Sequence, residues 1–299
     1  MPYRNIVISS AVHLSVKNEQ LIISGEVSGS VPIEDIRVLL VESRQASVTT
    51  HALSRLAEQG VCTYFCDEKH LPCAVLLPFA QHSRQKKQIE LQLNQGKPTV
   101  KRLWRDIVVA KIANQARCLS LCGYGKEDVE GLSLLTREVL SGDTTNVEGY
   151  AAAYYFKTLF GKCFTRDEEN DINAALNYGY AIIRGYICRT LAVYGYEASF
   201  GIHHCSSLNN FNLADDLIEP FRPLVDLFVF QKCLGRPLSP ELKRQLACLL
   251  QYEMTYRDEQ HSVAYAIELT VQSLGRCFSG ADGALALPVL QGLKLHEYE

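Results

Sequence analysis

No Cys-x-x-Cys pair occurs in the 299 residues, although the chain carries eleven cysteines. Their scatter excludes a zinc ribbon and a thioredoxin-like redox motif. Cys62, Cys66 and Cys73 lie close together, but no fourth ligand accompanies them and their neighbours are strand-like, so they read as small buried hydrophobes. An odd number of thiols and no secretion signal point to a reducing cytoplasm. Also missing is any apolar run of the ~18 residues a membrane-spanning helix needs. The N-terminal MPYRNIVISS lacks the apolar stretch of a signal peptide. The chain is therefore expected neither to span a membrane nor to leave the cell by that route. It contains no internal repeat and no low-complexity segment.

What is present is ordinary for a globular protein: 47% hydrophobic and 21% charged residues, enough to bury a core without crosslinks. The net charge of -3 argues weakly against nucleic acid, but its distribution argues the other way. Residues 1–80 carry six basic and eight acidic side chains, 81–117 nine and two, and 118–180 five and ten. A local excess of this size attracts phosphate even in an acidic chain, and a solvated basic helix explains it equally well.

The first eighty residues read as mainly β. NIVIS, HLSV, QLIIS, IRVLLVES, VCTYFCD and PCAVLLPF are short apolar runs broken by turn residues, with one helical THALSRLAEQ among them. Glu34, Asp35 and Glu42 look like turn and edge residues. Pro78 and QHSRQKKQ mark a change of regime. In DINAALNYGYAIIRGYICRTLAVYG, apolar side chains at 172, 176, 180, 183, 187 and 191 trace one face of a long helix. SLLTREVL, residues 147–160, PLVDLFVFQKCLG and SVAYAIELTVQSL are further helices. The expected fold is α+β: a β-rich domain over 1–80, then a larger all-helical domain over 81–299.

Two regions supply candidate ligands. In TTNVEGYAAAYYF, Glu148 opens a helix, and Thr145-x-x-Glu148 has the spacing of a capping box, which would make the glutamate structural. Gly149 and the alanines beyond it leave the neighbouring surface bare for a polyanion. In GIHHCSSLNNFNLADDLIEPFRP, His203 and His204 precede Asp215, Asp216 and Glu219. Asn212 suits an N-cap for an acidic first turn. Asp216 and Glu219 are three apart and share a helix face, Asp215 points elsewhere, and Pro220 bends or restarts the helix. Carboxylates with one imidazole offer a half-shell for Mg²⁺ or Mn²⁺ working on phosphate. Only one of two consecutive histidines can face the same point, and the chemistry alone permits either.

VEGYAAAYYF, ALNYGYAIIRGYICRTL and GIHHCSSLNNFNLADDLIEPFRPLVD, in this order, closely resemble the integrase subunit of CRISPR spacer acquisition, the first-numbered Cas protein. The HHCSSLNNFNLADDLIEPFRP wording resembles the type II branch. The resemblance implies a β-rich N-terminal dimerisation domain and a helical, catalytic, DNA-binding domain. It implies a homodimer, with two dimers bridged by the small ferredoxin-like second-numbered Cas protein into a heterohexamer, and other type II adaptation proteins as candidate partners. The implied substrates are double-stranded DNA, the spacer precursor and the CRISPR repeat. Its metal ligands carry over to Glu148, His204 and Glu219, with Asp216 in a supporting role. The implied reaction is a metal-dependent attack of a 3′-hydroxyl on a phosphodiester at the leader end of the array. That chemistry needs no covalent protein–DNA intermediate, in keeping with the lack of an obvious activated Ser or Tyr. A metal-dependent endonuclease on branched or duplex DNA is the alternative, and a non-enzymatic DNA scaffold a third reading. From the basic segment, Arg84, Lys86, Lys87, Arg102 and Arg105 are the expected phosphate contacts. A metal held by a neutral His204 should be lost below about pH 6, because a protonated imidazole cannot coordinate.

Overall fold

In a computed structural model describing residues 3–79, 82–281 and 283–297, strand β5 (Ile36–Val41) is buried at every residue. Apart from Arg37 the strand is apolar throughout, as suits a strand covered on both faces. It lies inside a four-stranded sheet of order β1 (Arg4–Ile8), β5, β7 (Cys62–Cys66), β8 (Pro72–Leu76). The first three are parallel and β8 is antiparallel to β7. Leu39 and Val41 turn to one side, into a cluster with Leu14, Leu21 and Leu56. Val38 and Leu40 turn to the other, into the core of the helical part.

A second sheet, β4 (Gly29–Pro32), β3 (Gln20–Gly25), β2 (Val12–Lys17) and β6 (Ser47–Val48), covers the first of these sides. Helix α1 (Thr50–Glu58) is capped by the Thr49 hydroxyl, which accepts from the Ala52 amide at 3.2 Å. Glu34 and Asp35 sit in a short 3-10 turn, as expected. Glu42 does not behave as an edge residue: it is buried, with Lys243 3.4 Å away, and so ties the β-rich part to the helical part.

The rest is predominantly helical. It comprises α2 (Gln85–Leu93), α3 (Lys97–Leu121), α4 (Lys126–Leu135), α5 (Val147–Phe160), α6 (Asp171–Val193), α7 (Asn212–Ile218), α8 (Arg222–Lys232), α9 (Pro240–Ala247) and α10 (Val263–Phe278). The expected junction at residues 80 and 81 lies outside the described residues. SLLTREVL is helical only in its first three residues, because α4 begins earlier and ends at Leu135 in tight i to i+3 turns. The helical part also carries a three-stranded sheet, β10 (Glu259–Ser262), β9 (Tyr252–Tyr256) and β11 (Val289–Leu295).

Helix α6 is the centre of the packing, with the β1–β8 sheet on one side and α8 and α9 on another. The Tyr64 hydroxyl on β7 donates to the Ile182 carbonyl at 2.6 Å. Gly185 permits this contact, since a Cβ there would lie 2.2 Å from the Tyr64 ring. No helix among the described residues is long and apolar enough to cross a membrane.

Candidate active site

Helix α3 is the platform. Gly96 precedes it in extended conformation and Pro98 falls in its first turn, a position where a missing N–H costs nothing. Trp104, Lys111 and Cys118 follow one another at intervals of seven residues, about two turns. Each is buried, and each meets a different part of the neighbouring chain.

At the first level, Trp104 supports the histidine loop. The His203 ring stacks on it with centroids 4.1 Å apart and planes 4° from parallel, while His204 meets its edge at 5.9 Å. His203 is thus occupied with packing. His204 faces Asp216, whose Oδ1 lies 2.7 Å from Nδ1. A carboxylate can only accept, so Nδ1 carries a proton and, in the neutral ring, Nε2 presents its lone pair. The His204 side chain is 41% exposed, whereas Asp216 is fully buried. Asp216 also accepts the main-chain N–H groups of Ile202, His203 and His204. Asn212 fastens the same loop by donating to the Ser199 and Ser206 carbonyls, both at 2.9 Å. It is the first residue inside α7 and not its cap. Gly201 is required here because a Cβ would lie 2.3 Å from the His204 carbonyl oxygen and 2.7 Å from Asp216 Oδ2.

At the second level, the Lys111 ammonium lies between two carboxylates. It donates to Glu148 Oε1 and stands 2.5 Å from Glu219 Oε2. Lys111 is the counter-ion of the buried Oε2, which has no other polar partner among the described residues. Glu219 Oε1 accepts from Arg222 Nε at 2.8 Å. Burial alone would raise the Glu219 pKa, but Arg222 and Lys111 hold it at about 2. Burial likewise works against the charge on Lys111, and the two glutamates outweigh it and raise its pKa. Glu219 lies in a 3-10 turn, Glu219–Phe221, that Pro220 inserts between α7 and α8, in line with the expected break. Asn114, one turn along α3, fixes that turn: its Nδ2 donates to the Pro220 carbonyl at 2.7 Å. Its Oδ1 accepts from Leu290 on β11 at 3.0 Å.

The capping box is not formed. The residue before α5 is Asn146, with positive φ and no side-chain cap bond. Asp143 does the capping instead, accepting from the Val147 and Glu148 amides at 2.9 and 3.0 Å. The Glu148 carboxylate is thereby released toward Lys111. Of the alanines that follow, Ala151 belongs to the core, so the bare surface is narrower than expected.

At the third level, Asp226 on α8 accepts from Tyr155 of α5 at 3.0 Å and from Tyr180 of α6. Tyr155 stands seven residues after Glu148 on α5, and Asp226 seven after Glu219, so α5 and the continuous stretch from the 3-10 turn into α8 contribute to both levels. Arg222 lies over the Tyr180 ring, 4.5 Å from its centroid, and couples the two.

Glu148 and Glu219 are therefore brought together through Lys111, with His204 nearby: Asp216 is the main cause of its raised pKa, and Glu219 adds to it. Among the described residues, no three His, Cys, Asp or Glu side chains converge as they stand on one metal position. A cleft of about 450 Å³ opens beside His204, lined by Ser206, Asn209 and Gln95. Asp215 stands apart, 3.7 Å from Arg184. Of the expected phosphate contacts, Arg84, Lys86, Lys87, Arg102 and Arg105 are all exposed. Lys87 and Arg102 line one cavity of about 680 Å³ between α2, the start of α3 and the end of α10. Lys111, counted in the same basic segment, faces inward. Charge counting could not separate it from its neighbours, although its seven-residue spacing from buried Trp104 could.

The family model for CRISPR associated protein Cas1 matches residues 6–257. The chain belongs to the Cas1 family. The CRISPR-associated endonuclease Cas1 of Neisseria meningitidis is 43% identical over 306 residues, covering all of both chains. Two solved structures share the fold. A casposase bound to integration product matches with a TM-score of 0.76 at 17% identity, over 95% of this chain and 92% of that one. The other is a Cas6-RT-Cas1–Cas2 complex, with a TM-score of 0.69 at 18% identity, over 93% of this chain and 35% of that one.

Proposed function

We propose that this Cas1-family protein is the integrase of CRISPR adaptation, inserting short duplex DNA at the leader end of a repeat array. One observation carries the assignment of the site. Helices α3 and α5 and the 3-10 turn before α8 bring two carboxylates onto one buried ammonium, beside an imidazole whose Nδ1 is held by Asp216.

The donor set suits a hard divalent ion: oxygen from Glu148, the buried Glu219 Oε2 that now faces Lys111, and Nε2 of His204. When bound there, Mg²⁺ or Mn²⁺ supplies Lewis-acid stabilisation of the phosphoryl oxygens. Asp216 keeps the His204 ring turned outward in one tautomer, and so acts as a positioning residue. The 3′-hydroxyl of the incoming duplex attacks a repeat phosphodiester and the former 3′-oxygen leaves. One P–O bond forms as another breaks, so no nucleotide energy source is consumed. Water in place of the hydroxyl gives endonuclease activity at the same residues.

Residues 1–80 are the proposed dimerisation domain and 81–299 the DNA-binding domain. The wording around His204 supports the type II branch. A homodimer bridged by a Cas2-type partner into a heterohexamer, in the cytoplasm, completes the reading. The Cas6-RT-Cas1–Cas2 complex supports it at the level of a shared fold. The test is a supercoiled plasmid bearing a repeat, incubated with a labelled duplex, the partner and Mn²⁺. Label becomes covalently attached in the integrase reading, whereas relaxation of the plasmid without attachment supports the endonuclease. Glu148→Gln and Glu219→Gln should abolish attachment and leave duplex binding, which rests on Lys and Arg contacts to phosphate.

A further inference from the structure

Lys111 is the least expected member of the site. Its ammonium is almost completely buried on the inner face of α3. It bridges the two glutamates assigned above to metal, on which assignment this inference rests. Glu219 has no oxygen to spare: Oε1 accepts from Arg222 and Oε2 faces Lys111. Glu148 Oε1 is likewise engaged by Lys111, though the side chain remains 26% exposed. A divalent ion entering at Glu219 Oε2 would meet the ammonium at contact distance, where two cations repel strongly in a poorly solvated site. Without any cation, two carboxylates this near each other, one of them buried, would also repel. One positive charge between them relieves that repulsion, and a lysine on its flexible four-carbon stem can supply it and later withdraw.

We propose that Lys111 is an internal counter-ion that occupies the metal position of the resting protein, so that metal binding is an exchange of the ammonium for the divalent ion. Lys111 holds Glu148 and Glu219 in register beforehand, and its withdrawal sets the metal concentration at which the site fills. It is a positioning and affinity-determining residue, and no step of strand transfer passes through it.

Mn²⁺ binding to the full chain without DNA, measured by calorimetry or by the free-ion paramagnetic resonance signal, tests this. Lys111→Met, which keeps length without charge, and Lys111→Gln, which keeps hydrogen bonding, should each bind Mn²⁺ at least about tenfold more tightly than the parent. Lys111→Arg should bind no more tightly than the parent. The thermal shift produced by Mn²⁺ should be larger in the two neutral variants. If either neutral variant folds only when Mn²⁺ is present, the exchange is also supported, the ion then replacing the missing charge. Equal or weaker Mn²⁺ binding in both would overturn the proposal, as would failure of both to fold with or without the ion. Glu148→Gln and Glu219→Gln separate this from the site assignment. If neither weakens Mn²⁺ binding the assignment itself fails; if they weaken it while the Lys111 variants behave as the parent, only the exchange fails.

Discussion

Asp216 Oδ1 lies 2.7 Å from His204 Nδ1, and the same fully buried carboxylate takes three consecutive main-chain N–H groups of the loop that carries the histidine. One side chain thus fixes both the backbone and the ring. Asp216→Asn keeps the shape but turns part of the acceptor into a donor facing donors. We expect Mn²⁺ affinity or strand transfer to fall by about 10–100-fold, the usual effect of removing an orienting partner. Ala at 216 should in addition lower the melting temperature, because buried N–H groups lose their acceptor. Asn at full activity would show that the carboxylate is not the orienting group.

The two histidines should separate cleanly. His204→Ala should lose strand transfer, or recover only at high Mn²⁺, whereas His203→Ala gives up only its stacking on Trp104 and keeps substantial activity. The reverse pattern would refute the assignment. Asp216 raises the His204 pKa above its ordinary value, against the opposing effect of burial. The ring therefore holds its proton to higher pH than a free imidazole, and metal must displace that proton. Mn²⁺ affinity should accordingly weaken as pH falls through a range above the ordinary 6.5, higher than the pH 6 expected from sequence. Affinity measured from pH 5.5 to 8.5 reads the midpoint directly.

Much of this was legible beforehand. The apolar spacing in residues 172–191 gave α6, and IRVLLV, apolar except for Arg37, gave β5. The β9–β10 hairpin was missed for a local reason: its two-residue turn is Arg257–Asp258, both with positive φ, in place of the Asn-Gly that announces such turns. The role of Lys111 was hidden because a charge count records composition and not direction. The capping box misled because its spacing fitted. The chain enters α5 one residue later, through a left-handed Asn146, and hands the cap to Asp143.

That hand-over is testable. Asp143→Ala should cost about 1 kcal/mol or more of stability through the missing cap. It should also impair strand transfer, since the start of α5 carries Glu148. Thr145→Ala should do neither. Unfolding midpoints in urea for both variants decide it, and a destabilised Thr145→Ala with an unaffected Asp143→Ala would restore the capping box.

For the basic face, replacing Arg84, Lys86 and Lys87 by Glu should weaken duplex binding and flatten its salt dependence by roughly one unit of slope for each phosphate no longer engaged. Lys86 is nearly fully exposed and pairs only loosely, at 3.6 Å, with Glu90, so the fold should be unaffected. Arg102→Glu, across the cavity from Lys87, should act in the same direction. A salt slope equal to that of the parent would remove α2 from the binding surface.

Asp226 provides a test of the core beneath the site. Burial pushes its carboxyl up to about 6, although Tyr180, Tyr155, Arg166 and Arg222 all pull it down. A buried acid with a raised pKa keeps a proton that the unfolded chain releases, so between about pH 4 and 6 the native state binds more protons. Its contribution to stability is then greatest below pH 4 and declines as pH rises through 6. The loss is on the order of 3 kcal/mol at one pKa unit per 1.36 kcal/mol. Glu219 has the opposite sign: its pKa is lowered to about 2, so the stability from its ion pairs is present above pH 4.5 and lost as pH falls toward 2. Comparison with Asp226→Asn cancels Glu219, which both proteins share. Stability of the Asn variant relative to the parent should therefore rise from pH 4 to pH 6 and level off above it. Urea midpoints at pH 4.5, 5.5 and 7 that shift in parallel for the two proteins would show that Asp226 is ionised throughout, with its charge fully met by the two tyrosines and the neighbouring arginines.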